Sequence, residues 1–321
     1  MIILTGGAGF IGSCLLWRLN EEGVSDIIVV DEQLTPEKKQ NLDGKKFNDF
    51  IDKEKFLPLI SSGKLGKKVD AIFHLGACSS TTVTDVEYFN KNNTEYSKTL
   101  TEYSLSKNIR FIYASSGATY GDGSLGFSDK DKDTPRFKPL NAYGNSKHLF
   151  DLWAIEKRLT KKMAGLKYFN IFGPNEYHKG DMRSVIAKSF DEIVRNKKMR
   201  LFKSHKKEYK DGEQKRDFMY VKDAVDATYF FFENRDKNGI YNIGTGNART
   251  WNDLAKAIFN ALGIEPDIEY FDMPETLREK YQYFTEADIS KLRNSGYNKD
   301  FYSLEDGVKE YVGFLKEKRC L

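Results

Sequence analysis

Tyr143 and Lys147 place a phenol and an ammonium one helical turn apart, in the run Tyr143-Gly144-Asn145-Ser146-Lys147, so both project from one face of a helix. A free phenol, with a pKa near ~10, is no base at neutral pH. A lysine one turn away, together with the positive charge of an oxidised nicotinamide, favours the ionised form, and the same lysine can hold the nicotinamide ribose. On its own the pair is also what an amphipathic helix with a buried tyrosine and a snorkelling lysine looks like. A second motif gives it meaning. Thr5-Gly6-Gly7-Ala8-Gly9-Phe10-Ile11-Gly12 directly follows the apolar run Met1-Ile2-Ile3-Leu4. In such a loop Gly6 permits the tight turn, Gly9 lets the backbone approach a pyrophosphate, and Gly12 lets the next helix pack on the strand. The free N–H groups and positive dipole end of that helix then face the phosphates. Loop and pair, in this order, imply chemistry in which a hydride moves to or from a carbinol carbon.

Asp31 ends the second apolar run, about 20 residues past the loop, where an acid accepts from a ribose hydroxyl and favours NAD. Glu32 beside it repels a 2′-phosphate. Lys38, Lys39 and Lys53 pull the other way, since a lysine folded over the adenosine neutralises that phosphate and favours NADP. The two expectations balance. Ser115 and Ser116 follow Phe111-Ile112-Tyr113-Ala114, at the carboxyl edge where ligands bind in open α/β sheets. A Ser116 hydroxyl there can hold a substrate oxygen beside Tyr143.

The elements that must position these residues are legible as alternation. Strands are expected at residues 2–5, 26–30, 71–74, 111–115 and 166–170, with Ile11, Leu15 and Leu19 marking a helix between the first two. Further helices are expected at 88–105, 142–159, 181–196, 222–233, 251–262, 286–295 and 304–316, and strand-like character at 217–221 and 240–244. The fold class expected is α/β: a Rossmann-type doubly wound parallel sheet with a smaller interleaved α/β substrate lobe. Residues 1–169 and 216–247 are assigned to the dinucleotide-binding domain, and 170–215 and 248–321 to the substrate lobe.

Composition narrows the function. With 40% hydrophobic and 14% aromatic residues the chain can build a real core, and a net charge of +4 is too small to suggest nucleic-acid binding. Cys14, Cys78 and Cys320 stand far apart without a Cys-x-x-Cys or a paired histidine, which argues against a disulfide framework or a metal site and fits a reducing compartment. No signal peptide and no apolar run near ~18 residues is present, so a soluble cytoplasmic enzyme without a membrane or nucleic-acid partner is expected.

Beyond these two motifs, His74-Leu-Gly-Ala77, Tyr113-Ala-Ser-Ser116, Tyr168-Phe-Asn-Ile-Phe-Gly-Pro174, Arg216-Asp-Phe-Met-Tyr-Val221 and Tyr241-Asn-Ile-Gly244 resemble the extended short-chain dehydrogenase/reductase superfamily nearly end to end. Within it the chain is most similar to the ADP-L-glycero-D-manno-heptose 6-epimerase family. That likeness is carried by Gly76-Ala-Cys-Ser-Ser-Thr-Thr82, Ser115-Ser-Gly-Ala-Thr-Tyr-Gly121, His178-Lys-Gly180 and Arg278-Glu-Lys-Tyr-Gln-Tyr-Phe-Thr285. The resemblance implies interconversion of the C6″ epimers of an ADP-heptose, a precursor of the lipopolysaccharide inner core. The C6″ carbon bears only a hydroxyl and alkyl neighbours, so a base cannot remove its hydrogen as a proton. Transient hydride transfer to a tightly held NAD(P), one per subunit, and return to the other face inverts the centre. It also implies NADP and a homo-oligomer, often a pentamer.

The same resemblance implies two acid/bases, Tyr143 and Lys179, with Ser116 and Lys147 assisting. An apolar pocket or a nearby cation would lower the Lys179 pKa enough for base work. By position it implies that Gly6, Gly9, Phe10, Ile11, Gly12, Asp31, Glu32, Lys38, Lys53, Leu75, Gly76, Ala77, Cys78, Ser79, Asn92, Lys147 and Ile171 line the cofactor. It likewise implies that Ser116, Asn170, Asp181, Lys188, Phe202, Lys203, Ser204, His205, Arg216 and Tyr281 face the ADP-heptose, Arg216 being suited to a diphosphate. Leu75, Glu32, Asp181 and Lys188 depart from the family's usual residues, and 206–214 looks like an insertion. A 4,6-dehydratase would need an acid pair where Gly117 and Ala118 stand. A UDP-hexose 4-epimerase shares the loop, Ser116, Tyr143 and Lys147 but gives no reason for Lys179. A non-catalytic cofactor-sensing module gives none for an intact Tyr–Lys pair.

Overall fold

The computed structural model describes residues 1–63, 65, 68–80, 85–278 and 281–321. Thr81, Thr82, Glu279 and Lys280 of the family-like segments lie outside the described residues. The first half alternates as expected: β1 (Ile2–Thr5), α1 (Phe10–Glu21), β2 (Ile27–Asp31), α2 (Pro36–Gln40), β3 (Asp49–Asp52), α3 (Lys53–Ser61) and β4 (Ala71–His74). Then come α4 (Val86–Phe89), a π-helical turn (Asn90–Glu95), α5 (Tyr96–Ser106), β5 (Arg110–Ser116), α6 (Ala142–Glu156) and β6 (Ala164–Tyr168). After β7 (Asn170–Phe172) follow α7 (Val185–Asn196), β8 (Met199–Phe202), β9 (Lys215–Arg216), β10 (Phe218–Tyr220), α8 (Val221–Glu233) and β11 (Gly239–Ile243). The chain closes with β12 (Arg249–Thr250), α9 (Trp251–Leu262), β13 (Ile268–Phe271), α10 (Glu275–Arg278), α11 (Ser290–Asn294) and α12 (Leu304–Glu317).

Seven strands form one sheet in the order β11-β6-β5-β4-β1-β2-β3, and every pairing is parallel. The order reverses between β1 and β4, the switch point outside which such sheets bind ligands. Alternation along β1 separates two cores. Ile2 and Leu4 pack with Leu15, Leu19, Val225 and Phe231 of α1 and α8. Ile3 faces the other way, with Phe56, Leu100 and Phe150 of α3, α5 and α6. The first core continues without a break into Leu254, Ile258, Val308 and Tyr311 of α9 and α12. Short pairs β7–β10, β9–β12 and β8–β13 connect the remaining segments. Among the described residues no helix is long and apolar enough to cross a membrane.

Four elements differ from the expectation, each for a local reason. The strand expected at 166–170 is two: the chain leaves β6 at Phe169, whose N–H bonds the Ile243 carbonyl, and β7 then pairs with β10. The helix expected at 88–105 carries the π turn. The helix expected at 181–196 starts only at Val185, where the Ser184 hydroxyl caps the Ala187 N–H at 3.3 Å. The helix expected at 286–295 shrinks to α11 (Ser290–Asn294), and the Ala287 N–H ahead of it bonds to Asp217 at 3.0 Å.

Candidate active site

Two glycine-dependent approaches build the site. Gly9 is the N-cap of α1, with no capping side chain and no acid in the first turn, so its leading N–H groups stand open to an anion. The loop and helix touch backbone to backbone: a Cβ at Gly12 would lie 2.0 Å from the Gly6 carbonyl oxygen, and Gly6 itself has φ +69°. On α6, a Cβ at Gly144 would meet the Ala118 carbonyl oxygen at 2.8 Å. That close approach seats Tyr143 beside Ser116, and Asn141 caps the helix by accepting from the Gly144 N–H at 2.7 Å.

The switch-point cleft has a volume of about 620 Å³. Gly6, Gly9, Phe10, Ile11, Gly12, Asp31, Glu32, Lys38, Lys53, Leu75, Gly76, Ala77, Cys78, Ser79, Asn92 and Ile171 all line it, with Ser116, Tyr143, Lys147, Asn170 and Lys179. Tyr143 and Lys179 therefore share one cavity although they arise from different segments. Burial raises the Tyr143 phenol, opposed by the neighbouring Ser116 hydroxyl. Lys147 is 4% exposed, and burial lowers it to about 8 against the pull of Asp151. Burial thus favours the neutral phenol. Burial lowers the Lys179 pKa, Glu176 opposing, and its Nζ lies 5.1 Å from the centre of the Phe10 ring.

Polar partners fix these groups. Asn93, in the π turn, exchanges both amide bonds with the Cys78 backbone at 2.9 Å and donates to Ser146 at 3.0 Å, tying the loop after β4 to α6. Glu176 accepts from the Ser184 N–H at 2.6 Å and from Tyr311 of α12 at 2.7 Å, which anchors the turn carrying Lys179. At the adenosine end, Asp31 accepts from the Ala8 and Glu32 N–H groups, both at 2.9 Å, and Lys38 sits 2.8 Å from the Asp31 and Glu32 carboxylates alike. Lys53 approaches Glu32 at 3.9 Å. Open helix end, glycine cradle and acid-tipped β2 fit a nicotinamide dinucleotide.

Eight expected substrate residues do not line the cleft. Lys188 instead donates to the Asp181 carbonyl at 3.3 Å near the start of α7. Arg216 is buried between the Trp251 and Tyr281 rings, 5.7 and 5.1 Å from their centres, and donates to the Gln282 carbonyl. The Phe202 ring lies 6.3 Å from Tyr281, and Ser204 bonds within its own loop. The His205 N–H meets the Tyr283 hydroxyl at 3.0 Å, and Lys203 faces Asp272 at 3.4 Å. Gln282, whose carbonyl Arg216 meets, does line the cleft, with Thr285 and His178. Sequence reading missed those three, although each lies inside a segment it had singled out.

Residues 2–244 match the NAD dependent epimerase/dehydratase family, and the chain belongs to it. It is 54% identical over 312 residues to the ADP-L-glycero-D-manno-heptose-6-epimerase of Nitratidesulfovibrio vulgaris, covering 97% of each chain. The Helicobacter pylori ADP-L-glycero-D-manno-heptose-6-epimerase structure superposes with a TM-score of 0.83 at 28% identity, over 98% of this chain and 96% of that one. A UDP-N-acetylglucosamine 4-epimerase from Methanobrevibacter ruminantium gives 0.82 at 27% identity, over 99% and 98%.

Proposed function

We propose that the chain inverts C6″ of ADP-D-glycero-β-D-manno-heptose to give ADP-L-glycero-β-D-manno-heptose, in synthesis of the lipopolysaccharide inner core. The observation that carries this reading is the presence of Lys179 in the same cleft as Tyr143. A second acid/base lets the oxygen of a ketone intermediate be served from two sides as hydride returns to the opposite face. The near full-length likeness to heptose epimerases supports the choice of substrate.

When bound, the oxidised nicotinamide supplies a hydride acceptor that gives the same hydride back, so none is consumed. Tyr143 takes the C6″ hydroxyl proton on one side, its ionisation favoured by the cofactor's positive charge and by Lys147. Lys179, with its lowered pKa, exchanges the proton on the other side. Ser116 holds the oxygen between them. For the cofactor we favour NADP: Lys38 and Lys53 flank the half-exposed Glu32, which a 2′-phosphate would displace as their partner. Asp31 and Glu32 also admit NAD.

The purified protein should convert ADP-D-glycero-D-manno-heptose without added cofactor and leave UDP-glucose untouched, as resolved by chromatography. Nucleotide extracted from the same preparation decides NAD against NADP. UDP-galactose formed from UDP-glucose would keep the mechanism and overturn the substrate; no conversion with either cofactor added would overturn both.

A further inference from the structure

His178 stands next to Lys179 and also lines the cleft, yet the proposed reaction gives it no part. Its surroundings fix what it can do. The Asn41 amide nitrogen lies 3.2 Å from His178 Nδ1. The same nitrogen donates to the Ala8 carbonyl at 3.0 Å and to the Asn175 carbonyl at 3.1 Å, so the amide cannot be flipped. An amide nitrogen has no lone pair to offer and its two hydrogens already serve the two carbonyls, so an Nδ1–H aimed at it would find no acceptor; Nδ1 meets it unprotonated, sharing one of those hydrogens. The imidazole proton therefore sits on Nε2, the nitrogen not committed to Asn41. Burial and the nearby Lys38 and Lys179 ammonium groups depress its pKa to about 4, against the opposite pull of Asp31 and Glu32; Glu37 of α2 is the other carboxylate that feels this ring. His178 is thus a neutral N–H donor through the physiological range.

The groups around it locate it along the cleft. Asp31, Glu32 and Lys38 close the β2 end, whereas Ser116 and Tyr143 belong to the β5 end. Three strand spacings separate β2 from β5, about 14 Å, so one small ligand group does not touch both ends. His178 at the β2 end is remote from a sugar held by Tyr143. Lys179, the next residue, lies over the Phe10 ring at the start of α1, within the cleft it shares with Tyr143.

We propose that His178 is a cofactor-binding residue, a neutral imidazole that donates from Nε2 to the adenosine-ribose end of the dinucleotide beside Lys38. This rests on the cofactor part of the function proposed above and is independent of the sugar. A neutral donor complements the charged groups there. It accepts either a ribose hydroxyl or a 2′-phosphate as partner, and its grip does not vary with pH between about 5.5 and 8. Through the peptide it shares with Lys179, holding the adenosine end also sets the second acid/base.

The test is equilibrium titration of full-length protein, depleted of nucleotide by dialysis, with NAD+ and separately NADP+, in the absence of sugar. His178→Phe keeps a ring in place and removes the donor; His178→Gln restores an N–H. We expect the Phe variant to bind its preferred dinucleotide about tenfold more weakly, the loss of one good hydrogen bond. The Gln variant should recover most of that affinity. Dissociation constants within twofold of wild type for both dinucleotides in His178→Phe would overturn the proposal. So would a fall in kcat at saturating cofactor with unchanged binding, which would make His178 only a positioner of Lys179. Failure of the heptose reading would leave these titrations unaffected.

Discussion

At the residue scale, the site pairs two proton-exchanging groups whose environments push them in opposite directions. Burial raises the Tyr143 phenol and lowers the Lys179 ammonium, so the uncharged form is favoured at both. Lowering brings Lys179 toward base work, whereas Tyr143 depends on the cofactor's positive charge to ionise. Tyr143→Phe and Lys179→Met should each lower kcat for epimerisation by about a hundredfold or more, the usual worth of a positioned acid/base, and the double variant should lose nearly all activity. Steady-state kinetics on heptose substrate checks this, and near-normal turnover in Lys179→Met would remove that lysine from the reaction. The Tyr–Lys pair was readable from sequence because helical spacing dictates a shared face. His178, Gln282 and Thr285 were not, because in a tight turn and an extended stretch no helical period dictates which side chains enter the cleft. Asp181 shows the converse: position assigns it to substrate, but its turn precedes a helix that begins only at Val185.

At the element scale, the helix carrying Tyr143 and Lys147 is pinned to the sheet by ions. Asp151, one turn beyond Lys147, faces Lys167 of β6 at 3.0 Å with both side chains fully buried. Tyr113 and Ser115 of β5 donate to the same carboxylate at 3.0 and 2.7 Å, and Lys167 donates to Thr119 at 2.7 Å. α6, β5 and β6 are thereby held in the relation that sets Tyr143 against Ser116. Removing one charge leaves its partner buried and uncompensated, which costs about 3–5 kcal/mol, whereas removing both together is far milder. Asp151→Asn should therefore lower the urea midpoint clearly more than the Asp151→Leu/Lys167→Met double variant does. Equal midpoints would mean the pair contributes no more than its packing. Sequence alternation located the core strands β1, β4 and β5 because each carries a run of at least three apolar residues. It passed over β3, the edge strand Asp49-Phe-Ile-Asp52, whose charged ends obscure the pattern, and α3 beside it. The π turn was equally invisible, since it is set by the Asn93 bonds to Cys78 and Ser146 and not by periodicity.

At the scale of the whole molecule, the fold buries imidazoles that an unfolded chain would protonate. His74 lies between Thr5 and Ser97, at 2.7 and 2.8 Å, and burial lowers it to about 3. His178 is lowered to about 4, and His148, buried on α6 near Lys167, is lowered as well. The doubly wound topology was legible from strand–helix alternation, but this consequence was not, because it depends on which polar groups the sheet closes over. The sign follows from proton uptake. As pH falls below ~6.5 the unfolded chain binds protons at these three sites and the folded chain does not, so their contribution is whole above that pH and is lost toward pH 4. Asp223, raised by burial to about 6, and Asp129, also raised, bind protons first in the folded state and offset part of the loss. Each net proton then removes about 1.4 kcal/mol per pH unit. The thermal midpoint should be several degrees lower at pH 5 than at pH 7.5, and His148→Gln, which removes one of the three sites, should make that pH dependence shallower. A midpoint equal or higher at pH 5 would show that the buried carboxyls outweigh the histidines.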